Sequence, residues 1–258
     1  MSIKSTVTIA LLVISLMLAV SAQSHDAEPI QDLERKITKR EHTDISDKDR
    51  WELKAQYPEI RLAQGKPVNE FNAFAKALAM KHVDDFKASM SEITDDDRKR
   101  LPKGVNYDLQ VDYKIEFIND DLVSVNFGRS QYTGGAHPNH WSFTLNYDLK
   151  NSRVLELSEL FASNSGFLTV ISEYSIKQIS KKQGEYADAD WIGRGAGENL
   201  KNFENWNITK EGLKFTFDPY QVGPYVAGSF ETIVPLEKFS QAMRSEKFYP
   251  ISQVSYIG

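Results

Sequence analysis

The sequence predicts an α+β fold in which antiparallel sheets are each covered by a helix. Apolar residues recur at helical spacing over Asn69–Met90 and again over Phe167–Lys181. They alternate with polar residues over positions 107–147 and 206–234, which is the pattern of half-buried strands. Two amphipathic helices and two groups of strands can bury their apolar faces against one another. The order helix, strands, helix, strands also suggests two related halves.

The first 22 residues have the features of a secretory signal peptide. Lys4 supplies a positive charge, positions 7–20 are almost all apolar, and small residues precede a predicted cleavage before Gln23. The apolar segment is shorter than the roughly 18 residues expected of a membrane span. Only an uncleaved segment would therefore attach the protein to a membrane. We expect an exported protein, periplasmic or extracellular.

Residues 23–50 are predicted to form a polar, disordered tether. This stretch holds only four large aliphatic residues, so it offers too little apolar surface to offset the entropy lost on ordering. Folded structure is expected to begin near Trp51. The remaining chain divides into an N-terminal α+β domain at 51–150 and a C-terminal α+β domain at 151–258.

Composition excludes several classes of function. The 258 residues include no cysteine and carry a formal charge of −5, which excludes a disulfide framework and a cysteine nucleophile. Nucleic acid is not expected as a partner, since nonspecific binding needs clustered Lys and Arg. The glycines at 193, 195 and 197 lack the spacing of a dinucleotide-binding fingerprint, and no P-loop lysine follows them. We predict a flexible loop there, no nucleotide and no cofactor.

The first predicted helix, Asn69–Met90, has a clear apolar stripe. Phe71, Phe74, Leu78 and Phe86 fall on this stripe, and Asn69 is a suitable N-cap. His82 shares the stripe, and we interpret it as a partly buried helix histidine.

The predicted strands follow each helix. A turn at Asn119–Asp121 joins the first two strands into a hairpin. The predicted strands are Tyr107–Phe117, Val123–Phe127, Trp141–Tyr147, Val154–Leu157, Trp206–Ile208, Leu213–Phe217 and Phe230–Val234.

Two conformationally restricted loops are the candidate binding elements. The first, at 130–140, offers Tyr132, Gly134, Gly135, His137 and Asn139. The glycines can adopt positive φ, and Pro138 fixes the bend after them. A structural turn is therefore the competing interpretation of this loop.

The second loop, at 218–228, contains two prolines, two tyrosines and two glycines. Tyr220 and Tyr225 are its candidate binding residues, because tyrosine gives a large amphipathic contact at low entropic cost. Support of a strand crossover is the alternative role.

His137 and His140 also raise the possibility of a metal site. A catalytic zinc ion needs three protein ligands, and the sequence marks no third one. The proline between the two histidines excludes a helical pair. A metal-dependent hydrolase acting on envelope polysaccharide is therefore an alternative hypothesis, and no metal is our main prediction.

The motifs Tyr-Thr-Gly-Gly-Ala-His-Pro-Asn at 132–139 and Asp-Pro-Tyr-Gln-Val-Gly-Pro-Tyr at 218–225 resemble a known extracytoplasmic pair of domains. This RsiV/PdaC-type pair has no assigned function. It occurs in the ectodomain of the lysozyme-sensing anti-sigma factor RsiV and at the N-terminus of the peptidoglycan deacetylase PdaC. The resemblance covers positions 51–240. It implies an α+β fold, an envelope location and, in one branch, lysozyme binding.

Because no complete catalytic set accompanies these loops, we expect an exported non-catalytic binding or sensor module of the bacterial envelope. Its expected partners are peptidoglycan fragments or a wall-degrading protein such as lysozyme. A structural envelope protein is a further alternative.

Overall fold

A computed structural model describes residues 37–61 and 65–239. The predicted signal peptide and positions 23–36 of the predicted tether lie outside the described residues. The structure contains a six-stranded sheet and a three-stranded sheet, each packed against helices. The predicted α+β class is confirmed.

The first sheet has the strand order β1-β2-β3-β4-β5-β6, which is also the order along the chain. Its only parallel pair is β2–β3. Two helices, α1 and α2, connect these strands, as a parallel crossover requires. The bounds are β1 Ile37–Ser46, β2 Trp51–Ile60, α1 Lys66–Ser91, α2 Asp95–Arg100, β3 Tyr107–Ile118, β4 Leu122–Tyr132, β5 Asn139–Asp148 and β6 Arg153–Val154.

Helix α1 confirms the first predicted helix but begins three residues earlier. Its N-cap is Gly65, so the predicted cap at Asn69 is wrong. Pro67 in the first turn explains the earlier start, because its fixed φ suits that position and its missing N–H has no partner to lose. Phe74 is 48% exposed, since the buried stripe runs one position further round the helix. That stripe consists of Phe71, Ala75, Ala79, Val83, Phe86 and Met90.

Strand β1 shows that the predicted tether is wrong from residue 37 onward. All ten β1 residues pair in antiparallel register with β2. The strand buries little apolar surface and is held by main-chain hydrogen bonds and charge pairs, such as Arg40–Glu59 at 2.6 Å. Composition alone therefore missed it, because the partner strand satisfies its polar groups.

The second sheet has the order β7-β8-β9 and is fully antiparallel. Helix α3, the second predicted helix, packs against β9 and the short helix α4. The bounds are α3 Phe167–Gln183, α4 Ala189–Ala196, β7 Trp206–Ile208, β8 Gly212–Phe217 and β9 Phe230–Pro235.

Helix α4 corrects the prediction of a flexible glycine loop. Gly193 and Gly195 lie inside the helix, and Gly197 is its C-cap. The ideal Cβ position on Gly195 falls far inside van der Waals contact with the carbonyl oxygen of Gln221. Glycine is required there because α4 packs directly on the backbone of the 218–228 loop.

Two hydrophobic clusters form the core. Phe117 and Leu122 of the first sheet pack into the cluster of the second sheet, and buried polar contacts accompany them at the junction between the sheets. The Oγ of Ser124 accepts hydrogen bonds from the Asn207 side chain at 2.9 Å and from Ile208 N at 3.0 Å. Lys214 and Glu116 form an ion pair of 2.6 Å, with side-chain exposures of only 4% and 5%. These contacts fix how the two loops approach each other. Among the described helices, none is long and apolar enough to cross a membrane.

Candidate functional site

The first candidate loop is the tip of the β4–β5 hairpin. Positions 130–132 belong to β4 and positions 139–140 to β5, so the loop itself spans six residues, 133–138. Gly134 has a φ of 91°, which disfavours any side chain. The Tyr107 ring lies 3.4 Å from the ideal Cβ position of this glycine. The tip is therefore held against the first core.

The second candidate loop begins with a tight turn over Asp218–Gln221. Gln221 N donates to Asp218 O at 3.0 Å, and Pro219 precedes a residue with positive φ. That residue is Tyr220, with a φ of 72°, at a turn position where glycine or asparagine is usual. Trp191 of α4 fixes this conformation, since its indole Nε1 donates to Tyr220 O at 2.9 Å.

The two loops meet at one surface. The His137 and Tyr225 rings stack with centroids 3.8 Å apart, and the Tyr225 hydroxyl donates to Pro138 O at 2.7 Å. Tyr220 lies 5.6 Å from Tyr225 and is 55% exposed. We call His137, Tyr220 and Tyr225 the aromatic platform. Two distant parts of the sequence, and both domains, contribute to it.

Asp218 anchors the second loop to the first sheet. Its Oδ1 accepts from Ser142 N at 2.9 Å, and its Oδ2 accepts from Asn205 Nδ2 at 3.3 Å. Burial raises the pKa of Asp218, while the hydrogen bond from Ser142 N opposes that shift. The carboxylate also covers an outward-facing N–H of β5, which protects this edge of the sheet.

A polar cleft of about 260 Å³ is lined by residues of β3, β4, β5 and the second loop. Gly128 of this lining leaves room for the Asp112 carboxylate. An oxygen of that carboxylate lies 2.5 Å from the position that a Cβ on Gly128 would occupy. The polar and charged residues of its lining are Gln110, Asp112, Arg129, Ser130, His140, Ser142, Asp218 and Ser229. Such a lining can exchange hydrogen bonds with a ligand rich in hydroxyl groups.

The other predicted binding residues do not contribute rings to the platform. Tyr132 is half-buried and packs against the first core. Gly135 and Asn139 are exposed. Trp141, which is 41% exposed, was not predicted as a site residue. Its alternation with Phe143 suggested a core position.

The metal hypothesis finds little support in the geometry. His137 Nδ1 donates a hydrogen bond of 2.9 Å to Pro138 O, so only Nε2 of this ring could bind a metal ion. Its ring also stacks on Tyr225. Over residues 37–61 and 65–239, no group of three or more His, Asp or Glu side chains is arranged to hold a metal ion.

Several characterised proteins are similar to this chain. The peptidoglycan-N-acetylmuramic acid deacetylase PdaC of Bacillus subtilis is 29% identical over 147 residues, which is 57% of this chain and 30% of the deacetylase. The immunogenic protein MPT64 of Mycobacterium tuberculosis is 26% identical over 105 residues, 41% of this chain and 45% of that protein. The chain thus spans less than half the length of these relatives.

Solved structures share the fold at low sequence identity. A DUF3298 family member from Bacteroides fragilis has a TM-score of 0.60 at 18% identity, covering 85% of this chain and 96% of that one. A DUF3298 family protein from Pseudomonas aeruginosa has a TM-score of 0.61 at 11% identity, covering 82% and 96%.

Two family models match successive parts of the chain. Residues 45–140 match the model described as deacetylase PdaC, and residues 158–237 match the protein of unknown function DUF3298. The chain therefore contains a PdaC-type domain followed by a DUF3298 domain, the pair that its loop motifs resemble.

Proposed function

We propose that this protein is an exported module of the bacterial envelope that binds cell-wall glycan through the aromatic platform and the adjoining cleft. The single observation that carries the proposal is the meeting of the two loops, which places His137, Tyr220 and Tyr225 in one ring cluster. The role is binding, without chemistry on the ligand.

Ring chemistry supports a sugar as the ligand. The axial C–H groups of a pyranose carry partial positive charge and pack favourably on the electron-rich face of an aromatic ring. Tyr220 is accessible for such a contact, with 55% of its surface exposed. The hydroxyl groups of the same sugar could pair with serine and carboxylate groups of the neighbouring cleft.

Backbone strain at Tyr220 supports a role in recognition. A left-handed conformation at a bulky residue costs on the order of 1–3 kcal/mol, and such residues concentrate at ligand sites. A glycine would fit the same turn without this cost. An exposed tyrosine there contributes little to the core, so we infer that its ring contacts a ligand.

The relationship to a peptidoglycan deacetylase supports an envelope location and suggests peptidoglycan as the glycan. The predicted signal peptide agrees with export.

Isothermal titration with muropeptides and with peptidoglycan oligosaccharides tests the proposal. Wild-type protein should bind, and Tyr225→Ala should weaken binding at least tenfold, since it removes the centre of the platform. Tyr186→Ala is the matched control, because this tyrosine is 85% exposed and lies outside both loops. Equal affinities for the two variants, or no binding of wild type at millimolar concentration, would contradict glycan recognition.

A wall-degrading protein such as lysozyme is the second candidate ligand. Asp112 and Asp218 bring carboxylates into the cleft, and the formal charge of the chain is −5, which suits a cationic partner. The same titration with lysozyme, repeated at raised salt, separates the two: protein binding should weaken with salt, and binding of a neutral oligosaccharide should not. Binding of neither ligand would favour a purely structural role.

A further inference from the structure

We propose that Arg129, Trp141 and His82 form a second ligand site, which takes a sugar bearing a carboxylate group. The site lies on the α1 side of the first sheet. Arg129 and Trp141 also line the cleft beside the aromatic platform, but the site contains none of the platform rings and does not depend on the proposed function of that platform.

The alternation of side chains along β4 and β5 places the site on the face of the first sheet that is opposite the second domain. Ser124 points toward the second domain, where it bonds to Asn207, so residues an odd number of positions away point toward α1. Accordingly, Arg129 Nη1 lies 3.3 Å from His82 Nδ1 on α1. The guanidinium carbon also lies 4.6 Å from the centroid of the Trp141 ring.

The charge of Arg129 is only partly compensated. Among the described residues it has no carboxylate within 4.0 Å, and its Nη2 donates to the neutral side chain of Gln131. Asp85, an acidic residue that acts on it electrostatically, is already paired with Lys81. Its Nε is buried without a hydrogen-bond partner. A half-buried cation normally has an anionic partner, so an anion is the ligand group that this site lacks.

His82 cannot supply that negative charge, but it shapes the site. Burial and the neighbouring Arg129 lower the pKa of His82 to about 4, so the ring is neutral at physiological pH. Its Nδ1 therefore accepts a hydrogen bond from the guanidinium. The His82 ring is held in place by Phe143, with centroids 4.3 Å apart. Arg129 is consequently oriented before any ligand arrives.

The proposed ligand combines a carboxylate with a sugar ring. A planar carboxylate matches the remaining N–H donors of a guanidinium and can bind them in bidentate fashion. The guanidinium covers one face of the Trp141 ring, and the ring is 41% exposed, so its opposite face can receive the C–H face of a pyranose. A sugar acid satisfies both groups at once, whereas a neutral sugar leaves the guanidinium unpaired.

N-acetylmuramic acid and N-acetylglucosamine provide a matched pair of probes, because they differ only in the carboxylate-bearing lactyl ether. Titration of the full chain, followed by two-dimensional NMR of the tryptophan indole N–H groups, should show tighter binding of the acid, with the Trp141 signal shifting. Arg129→Gln should reduce affinity for the acid roughly 10- to 100-fold, as expected for a lost charge-assisted pair. Affinity for the neutral sugar should be unchanged.

Arg129→Lys keeps the charge without the planar fork and guards against a folding defect in the glutamine variant. It should bind the acid with intermediate affinity. Equal affinities of the two sugars for wild type, or an unmoved Trp141 signal, would overturn the proposal. Tyr225→Ala should leave the preference for the acid intact, so failure of the platform and failure of this site are distinguishable. Free lactate serves as a further probe: if it binds as tightly as the sugar acid, the sugar contact is refuted.

Discussion

Tyr220→Gly separates binding from stability at the platform. Tyr220 holds a φ of 72° in the turn that begins at Asp218, and its ring is 55% exposed. The substitution removes the ring but leaves a residue that suits the turn. We expect a protein that folds normally and binds glycan poorly.

The expected change in stability is small because opposing contributions nearly cancel. Relief of the left-handed conformation stabilises the fold by about 1–2 kcal/mol. The greater backbone entropy of glycine in the unfolded chain costs about 0.5–1 kcal/mol. Loss of the ring pair with Tyr225, at 5.6 Å, costs a further ~0.5–1.5 kcal/mol. The sum lies within about 1.5 kcal/mol of zero, whereas loss of a recognition tyrosine typically costs more than ~1 kcal/mol of binding energy.

Urea unfolding and calorimetric titration measure the two quantities on the same preparations. Stability close to wild type with glycan affinity reduced at least fivefold is the expected result. Tyr220→Phe retains the ring and should retain most of the affinity. If Tyr220→Gly loses more than about 3 kcal/mol of stability, the estimate of strain is wrong. Unchanged affinity would refute the role of the ring.

Three further predictions concern the framework of the site. The pKa of His82 is lowered to about 4, so its stabilising contribution is full above pH 6.5 and falls by roughly 2–3 kcal/mol as the pH drops toward 4. The free energy of unfolding of His82→Gln should depend less steeply on pH in that window. Lys214→Met alone should lower the free energy of unfolding by about 3–5 kcal/mol, because Glu116 loses its buried partner. The double mutant with Glu116→Leu should recover much of that stability, and additive effects in the double-mutant cycle would contradict a coupled pair. Gly195→Ala should destabilise the protein by more than ~2 kcal/mol, because the added Cβ would clash with the carbonyl of Gln221. The control Gly193→Ala places its Cβ where no atom lies within 4 Å and should stabilise the protein by up to ~1 kcal/mol. Equal shifts of the melting temperature would argue against the close packing of α4.

The local pattern of the sequence predicted most elements because periodicity reports burial. The stripe of α1 and the alternation along β3 and β5 placed those elements to within three residues. Strand β4 extends to Tyr132, five residues beyond its predicted end. Strand β1 was missed, since its groups are satisfied by cross-strand pairing with Glu59 and its neighbours on β2. Helix α4 was missed because glycine, read locally, indicates a loop, while close approach to Gln221 requires it.

The candidate site was only half predictable, for a similar reason. The sequence indicated both loops, but nothing local shows that His137 and Tyr225 stack. The dipeptide Pro219-Tyr220 was the missed signal: proline at the second turn position suggests a turn whose next residue has positive φ. Trp141 was predicted as an ordinary strand residue, and Arg129 lies beyond Phe127, the predicted end of β4. Their contact depends on β4 and β5 being in register, which places them opposite each other.

The platform contains residues of both domains. His137 belongs to the segment matched by the PdaC-type model, whereas Tyr220 and Tyr225 belong to the DUF3298 segment. Neither domain alone holds the stacked His137 and Tyr225 rings, so the proposed binding site requires both. The buried Lys214–Glu116 pair at the junction suits this arrangement, because a buried ion pair adds little net stability over an apolar contact, whereas misplaced docking would leave a buried charge without its partner. We therefore expect charge pairing at the junction to determine whether the platform is assembled, and the rings to determine what it binds.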